Sequence, residues 1–206
     1  MNNYSRIMLK SEDVFQLISK LVEIGWKSIR ESSINRIIYL SAVLYSFRYP
    51  NEKNIFEDDY NFSVTLSGPE DPEVEEALIN LQSNEVIERT DYGYVLGIEK
   101  NNSFSTVREK KKEIWFDDIA YIIGIYGEDK IFDFIYRDPE YRMSLDGNST
   151  YNLNLGEENA TVDFLNSFKM AFEKKITDKQ ITLENKKYLE LYFEYVFGKI
   201  LRGDQL

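Results

Sequence analysis

SGPEDPEVEEALINLQSNEVIERTDYGYVL, residues 67–96, is the stretch on which the fold turns. Asp71 stands immediately before Pro72, the arrangement of an N-cap followed by proline in the first helical turn. Val74, Ala77, Leu78 and Leu81 then recur at helical spacing, so the segment to about Asn84 is a helix burying one face. Val86–Arg89 and Tyr92–Leu96 flank a turn at Thr90-Asp91 and read as a short β-hairpin.

Upstream, Ser11-Glu-Asp reads as a cap region for a helix whose Val14, Phe15, Leu17, Ile18, Leu21 and Val22 form one stripe, with Gly25 ending it. Ser32 or Ser33 caps a second helix, Ile34 to about Phe47, stopped by Pro50. Segment 51–61 reads as an acidic loop, and Phe62–Ser67 alternates as a half-buried strand. Helix, helix, strand, helix and hairpin is the order of a winged helix, assigned here to residues 1–99.

Segment 100–106 reads as a hinge. Beyond it, helix 107–126 is apolar nearly all round (Ile114, Trp115, Phe116, Ile119, Ile122, Ile123, Ile125), which predicts a central, buried helix. Gly127 breaks it, a shorter helix runs from Glu128 to Arg137, and Asp138-Pro139 ends that one, with Glu140–Leu145 adding another turn. Residues 146–156 read as an exposed loop, followed by helices at about 157–174 and 182–201. The predicted class is mainly α with a small β-hairpin: a winged-helix-like N-terminal module followed by a helical bundle at 107–206, packed separately or as one body.

Composition narrows the chemistry. There is no His and no Cys among the 206 residues, which removes the usual neutral-pH base, thiolate nucleophiles and the commonest metal ligands. No glycine-rich phosphate loop is present, so no cofactor and no enzymatic activity are expected. An apolar run of the roughly 20 residues that span a bilayer is lacking, and the N-terminus lacks the pattern of a signal peptide. A cytoplasmic protein is expected, in which the sequons at Asn101 and Asn148 have no role.

The third helix occupies the place of a DNA-recognition helix, yet residues 70–88 hold seven carboxylates (Glu70, Asp71, Glu73, Glu75, Glu76, Glu85, Glu88) and no Lys or Arg. Phosphate contact needs cations or polar donors, and the chain's net charge of −11 adds general repulsion. Two readings of the acids stand: a solvated helix face, or a dock for a protein. Tyr92 and Tyr94 are natural anchors for such a dock, although strand alternation sends one toward the core. Arg108, Lys110, Lys111 and Lys112 form the densest basic run and the best place for weak phosphate contact; their plainer reading is a solvated helix start. Asp117-Asp118 is read as salt-bridged to Arg137 or Lys130, and Arg137 as stacked on Tyr141 or paired with Glu140.

Ser67-Gly-Pro before the acidic helix, the Tyr92-Gly-Tyr-Val-Leu hairpin, Trp115-Phe-Asp-Asp-Ile-Ala-Tyr-Ile-Ile, Tyr126-Gly-Glu-Asp-Lys and Arg137-Asp-Pro-Glu-Tyr141 together resemble the middle components of ABC-three-component systems, the group that includes Lamassu antiphage operons. The resemblance covers about residues 60–145. It implies a non-catalytic accessory subunit bridging an SMC-like ATPase and a nuclease-type effector, with no catalytic residues to carry over. The candidate partner-binding residues are Glu73, Glu76, Asn80, Tyr92, Tyr94, Trp115, Arg137 and Tyr141. The competing readings are a winged-helix transcription regulator that binds DNA through the basic run or a dimer surface, and a carboxylate enzyme using a divalent ion.

Overall fold

The computed structural model describes residues 3–97, 107–147, 152–175 and 183–202, so the predicted hinge and both sequon asparagines lie outside the described residues. Helix α1, Asn3–Glu23, begins well upstream of Ser11. Ser11 does not cap it: its Oγ donates to the Ile7 carbonyl one turn back, a common place for a mid-helix serine. At the other end Gly25 takes φ 104°, and the Trp26 and Gly25 amides close onto the Leu21 and Val22 carbonyls, a glycine stop as predicted.

Helix α2, Glu31–Arg48, is the axis of the molecule. Every residue from Ser33 to Phe47 is buried, and α2 touches the elements on all sides of it. An amphipathic pattern is absent from such a helix because it has no outer face. Two of its buried polar side chains reach carbonyl acceptors. Ser41 Oγ donates to the Ile37 carbonyl at 2.7 Å, and the Arg36 guanidinium donates to the Ser67 carbonyl at 2.6 Å.

The predicted strand forms a hairpin of its own. β1, Ser63–Thr65, pairs antiparallel with β2, Gly68–Glu70. Helix α3, Pro72–Ser83, follows with Asp71 as its N-cap and buries Val74, Ala77, Leu78 and Leu81 against α1. β3, Ile87–Thr90, and β4, Gly93–Leu96, make the wing. The strand that joins the wing is therefore not Phe62–Ser67. Ile29, between α1 and α2, bridges Tyr94 with reciprocal amide bonds of 2.9 and 2.8 Å. Helix, bridge, helix, helix and hairpin completes the winged-helix order from a different segment than the alternation pattern indicated.

Helix α4, Val107–Ile123, continues into a 3-10 turn, Gly124–Tyr126. It is not the central helix: Ile114, Tyr121 and Ile125 remain 57–63% exposed along one side. Helices α5, Glu128–Ile135, and α6, Pro139–Asp146, pack on α2 and α7 respectively, and α7, Ala160–Glu173, and α8, Asn185–Arg202, close the bundle. One apolar cluster includes Leu17 of α1, Leu40 of α2, Trp115 of α4 and Phe193 of α8, so both predicted halves share a core.

Polar side chains tie those halves together inside the core. Asp138 caps α6 through the Tyr141 amide and also accepts from Tyr39 at 2.6 Å and Thr161 at 2.7 Å. Burial pushes its carboxyl above the ordinary range, against the pull of those donors. Asn54 donates to the Ala42 and Leu155 carbonyls at 2.8 and 2.6 Å. Two expected loops are thus partly internal: Asn54, Phe56, Asp59 and Tyr60 are buried in one, Leu153 and Leu155 in the other.

Candidate functional site

The winged-helix face is built by α3, the wing and the N-terminus of α2. Asp71 holds α3 in place with both oxygens. Oδ1 accepts the Glu73 amide at 2.9 Å, while Oδ2 accepts Lys10 Nζ at 2.6 Å and the Asn61 amide at 2.8 Å. Partial burial raises Glu73, but Lys10 at 2.7 Å and Arg6 outweigh it and hold the carboxyl below its usual range. Glu73 is therefore tied inward, as is Asn80, whose amide donates to Ser11 Oγ at 2.9 Å.

What α3 turns outward is Glu75, Glu76, Ile79, Gln82 and Ser83. Ile79 is 55% exposed in the middle of that acidic surface. Glu31, at the start of α2, stands near enough to feel it. Partial burial first, then the charges of Glu75 and Glu70, push its carboxyl above the ordinary range, with Arg89 opposing. Three separate elements thus bring carboxylates to one face. At the wing tip Tyr92 is 81% exposed, whereas Tyr94 is buried at the Ile29 bridge, which resolves the alternation in favour of Tyr92. A cavity of about 520 Å³ lies between them, lined by Arg30, Glu31, Arg89, Tyr92 and Glu128 among others. Arg30 is already taken by Glu128 at 2.5 Å and Asp129 at 3.1 Å.

Two further candidates are structural. Trp115 is fully buried and donates its indole N–H to the Ser41 carbonyl of α2 at 2.7 Å. Tyr141 is buried too, its hydroxyl donating to the Thr65 carbonyl at 2.6 Å. With Tyr94, which is 4% exposed, they offer a partner almost no side-chain surface, because these positions are filled by large core aromatics. Arg137 neither stacks on Tyr141, which meets Tyr136 edge-on, nor pairs with Glu140, whose oxygens accept the Asn154 and Ala160 amides at 2.9 Å each. Asp117 pairs with Lys20 and Asp118 with Lys186 rather than with Arg137 or Lys130.

The basic run is dispersed by the fold. Lys112 is buried between Asp13 (2.5 Å) and Asp59 (3.1 Å), and Tyr60 donates to the same Asp13 oxygen at 3.0 Å. Lys111 pairs with Glu52 at 2.6 Å, leaving exposed Lys110; the Arg108 side chain lies outside the described residues. No phosphate-binding patch survives in Lys110–Lys112. Among the described residues no group of three or more acidic, His or Cys side chains could hold a metal ion, and no helix is long and apolar enough to cross a membrane.

Sequence reading missed a second surface. Arg137 and Arg142 stand at a groove of about 700 Å³ whose walls include Phe164 and Phe168 of α7 and Tyr192 and Tyr195 of α8. The signal was there in the i,i+4 spacing of the two Phe and the i,i+3 spacing of the two Tyr, but core-facing and groove-facing aromatics have the same periodicity. Beside the groove residue Tyr136, the β1–β2 tip is pinned by donors to three successive carbonyls: Tyr141 to Thr65, Tyr136 to Leu66, Arg36 to Ser67. Leu66 itself is left 90% exposed.

Neither a protein-family model, nor a curated protein, nor a solved structure matches this chain.

Proposed function

We propose that this protein is a non-catalytic adaptor whose winged-helix face docks a basic protein surface. One observation carries the reading: the helix in the recognition position turns Glu75, Glu76 and a solvent-facing Ile79 outward, and the wing that follows it exposes Tyr92. Carboxylates around an aliphatic anchor, with a tyrosine at the rim, suit a protein interface and repel a phosphate backbone. The absence of Lys and Arg from residues 70–88 supports the same conclusion.

The finer part of the proposal draws on the resemblance to middle components of ABC-three-component systems. In that setting the adaptor bridges an SMC-like ATPase and a nuclease-type effector of an antiphage complex, in the cytoplasm and without a cofactor. ATP hydrolysis and DNA sensing belong to the partners.

The test is affinity purification of the tagged protein expressed with its genomic neighbours, with Glu75→Lys/Glu76→Lys as the comparison. Recovery of an ATPase and an effector with the parent chain, and their loss with the double variant, is the expected result. An electrophoretic shift with duplex DNA is the counter-test. Tight binding at low salt, weakening steeply as salt rises, would overturn the adaptor reading in favour of a DNA-binding regulator.

A further inference from the structure

The aromatic groove beside α6 has properties opposite to those of the α3 face. We infer that it is a second docking surface, taking an acidic segment of a partner protein that inserts one or two aromatic or aliphatic side chains between flanking Asp or Glu residues. This goes beyond the adaptor proposal by assigning the second of the two surfaces a bridging subunit needs, and it stands on different residues.

The apolar half of the inference comes from the floor and walls. Tyr192 is buried at the base, with Phe168 at 5.4 Å and Phe164 at 5.9 Å from its ring, both inclined toward edge-on packing. Phe164 and Tyr195 are each 50% exposed, so large aromatic area meets solvent on two adjacent helices. Rings braced in this way lose little freedom on binding, which is why aromatic side chains serve as interface anchors. A groove of about 700 Å³ has room for a pair of side chains.

The acidic half comes from the arginines. In a chain of net charge −11, two guanidiniums line this one groove. Among the described residues Arg137 makes no ion pair; it stands just before the Asp138 cap, its amide donating to the Phe134 carbonyl at 2.8 Å. Among the described residues Arg142 pairs with Asp146 of its own helix, at 3.7 Å and in solvent, a contact weak enough to be exchanged for a partner carboxylate. Arginine holds a carboxylate through two parallel donors and still lies flat on an aromatic ring. Single-stranded nucleic acid also uses arginine and stacked aromatics, but it needs a cationic track along its backbone. The two arginines, with Lys199 over the Tyr195 ring at 5.1 Å, form a cluster and not a track on a strongly acidic chain.

Selection from a random 12-residue peptide library displayed on phage, against the immobilised full chain, tests both surfaces at once. The groove predicts a class of binders with Phe, Trp, Tyr or Leu flanked by Asp and Glu, enriched at least tenfold over the starting library. That class should fall to background on Arg137→Glu/Arg142→Glu and on Tyr195→Ser, and persist on Glu75→Lys/Glu76→Lys. The α3 face predicts a separate basic class with the reverse dependence, so either surface can fail without the other. Absence of the acidic class, or its survival on both groove variants while far-UV circular dichroism shows them folded, would overturn the inference. So would a (dT)20 oligonucleotide that binds the parent chain and is released by the arginine reversals.

Discussion

Replacing Lys112 with Met removes one charge from the interior and leaves two behind. Lys112 is 4% exposed, with its ammonium 2.5 Å from Asp13 and 3.1 Å from Asp59 and its head over the Phe56 ring at 4.9 Å. Met preserves most of the side-chain volume and the contact with the rings, so the loss is electrostatic rather than a cavity. Breaking a buried pair by deleting one member costs about 3–5 kcal/mol, because the remaining charge is uncompensated. Against a total stability of about 5–15 kcal/mol the variant stays folded but becomes marginal. The sign of its pH dependence follows from Asp13, which burial already holds above the ordinary carboxylate range with Lys112 opposing. Without Lys112 that opposition is gone. A carboxyl with a raised folded pKa carries a penalty that is absent below its unfolded pKa and complete above the folded one. The variant's deficit is therefore larger at about pH 8 than at about pH 5, measured by urea denaturation followed by circular dichroism. Adding Asp13→Asn recovers about half of the loss, since the buried carboxylate nearest the lost ammonium is then neutral. A deficit below about 1 kcal/mol at pH 8, or one that does not shrink toward pH 5, would refute the reasoning.

Other expectations concern the core weld and the wing. Trp115→Ala opens a cavity where α4 meets α2 and loses the bond to the Ser41 carbonyl, costing about 3–5 kcal/mol in the same denaturation assay; Trp115→Phe loses about 1–2 kcal/mol. Gly93→Ala places a Cβ 2.6 Å from the Ile29 carbonyl oxygen at φ 133°, so it destabilises by at least about 1–3 kcal/mol and loosens the bridge, read as faster hydrogen exchange at Ile29 and Tyr94. Tyr92→Ala, at the solvent-facing wing tip, shifts stability by no more than about 0.5 kcal/mol while weakening partner capture about tenfold or more by surface plasmon resonance.

Local chemistry explains which parts of the fold were legible. Asp71-Pro72-Glu73 is a complete helix-start signal, and α3 begins where it indicates, with the four predicted residues buried. Asp138-Pro139-Glu140 is the same tripeptide. It reads more easily as the end of α5, yet Asp138 caps α6 just as Asp71 caps α3. A proline both stops one helix and starts another, and only the geometry of the turn between them separates the two outcomes. Glycine at position 25 ended α1 by a rule needing no tertiary information. Which helix lies at the centre was not local at all. α4 looked central because its apolar residues surround it, yet Ile114 and Tyr121 face solvent, while α2, with five buried polar side chains, is enclosed. Three of them meet partners outside the helix, Arg36 at Ser67, Asn35 at Asp71 and Ser46 at Asn54, and such partners leave no mark in a periodic pattern.

The acidic segment at residues 70–88, with α3 at its centre, belongs to what sequence alone determined. Its cap, its buried face and its missing cations are composition and spacing, and together they make a surface that repels phosphate. Tertiary structure decided which carboxylates are available. Asp71 and Glu73 are drawn inward by Lys10 across 61 residues of chain, leaving Glu75 and Glu76 outside with Ile79. It also decided that Tyr92, not Tyr94, meets solvent, that Lys111 and Lys112 of the basic run go to separate ion pairs, and that Arg137 turns to an aromatic groove. Each of those outcomes depends on groups brought together by folding, and side-chain charge or spacing cannot encode which neighbour will arrive.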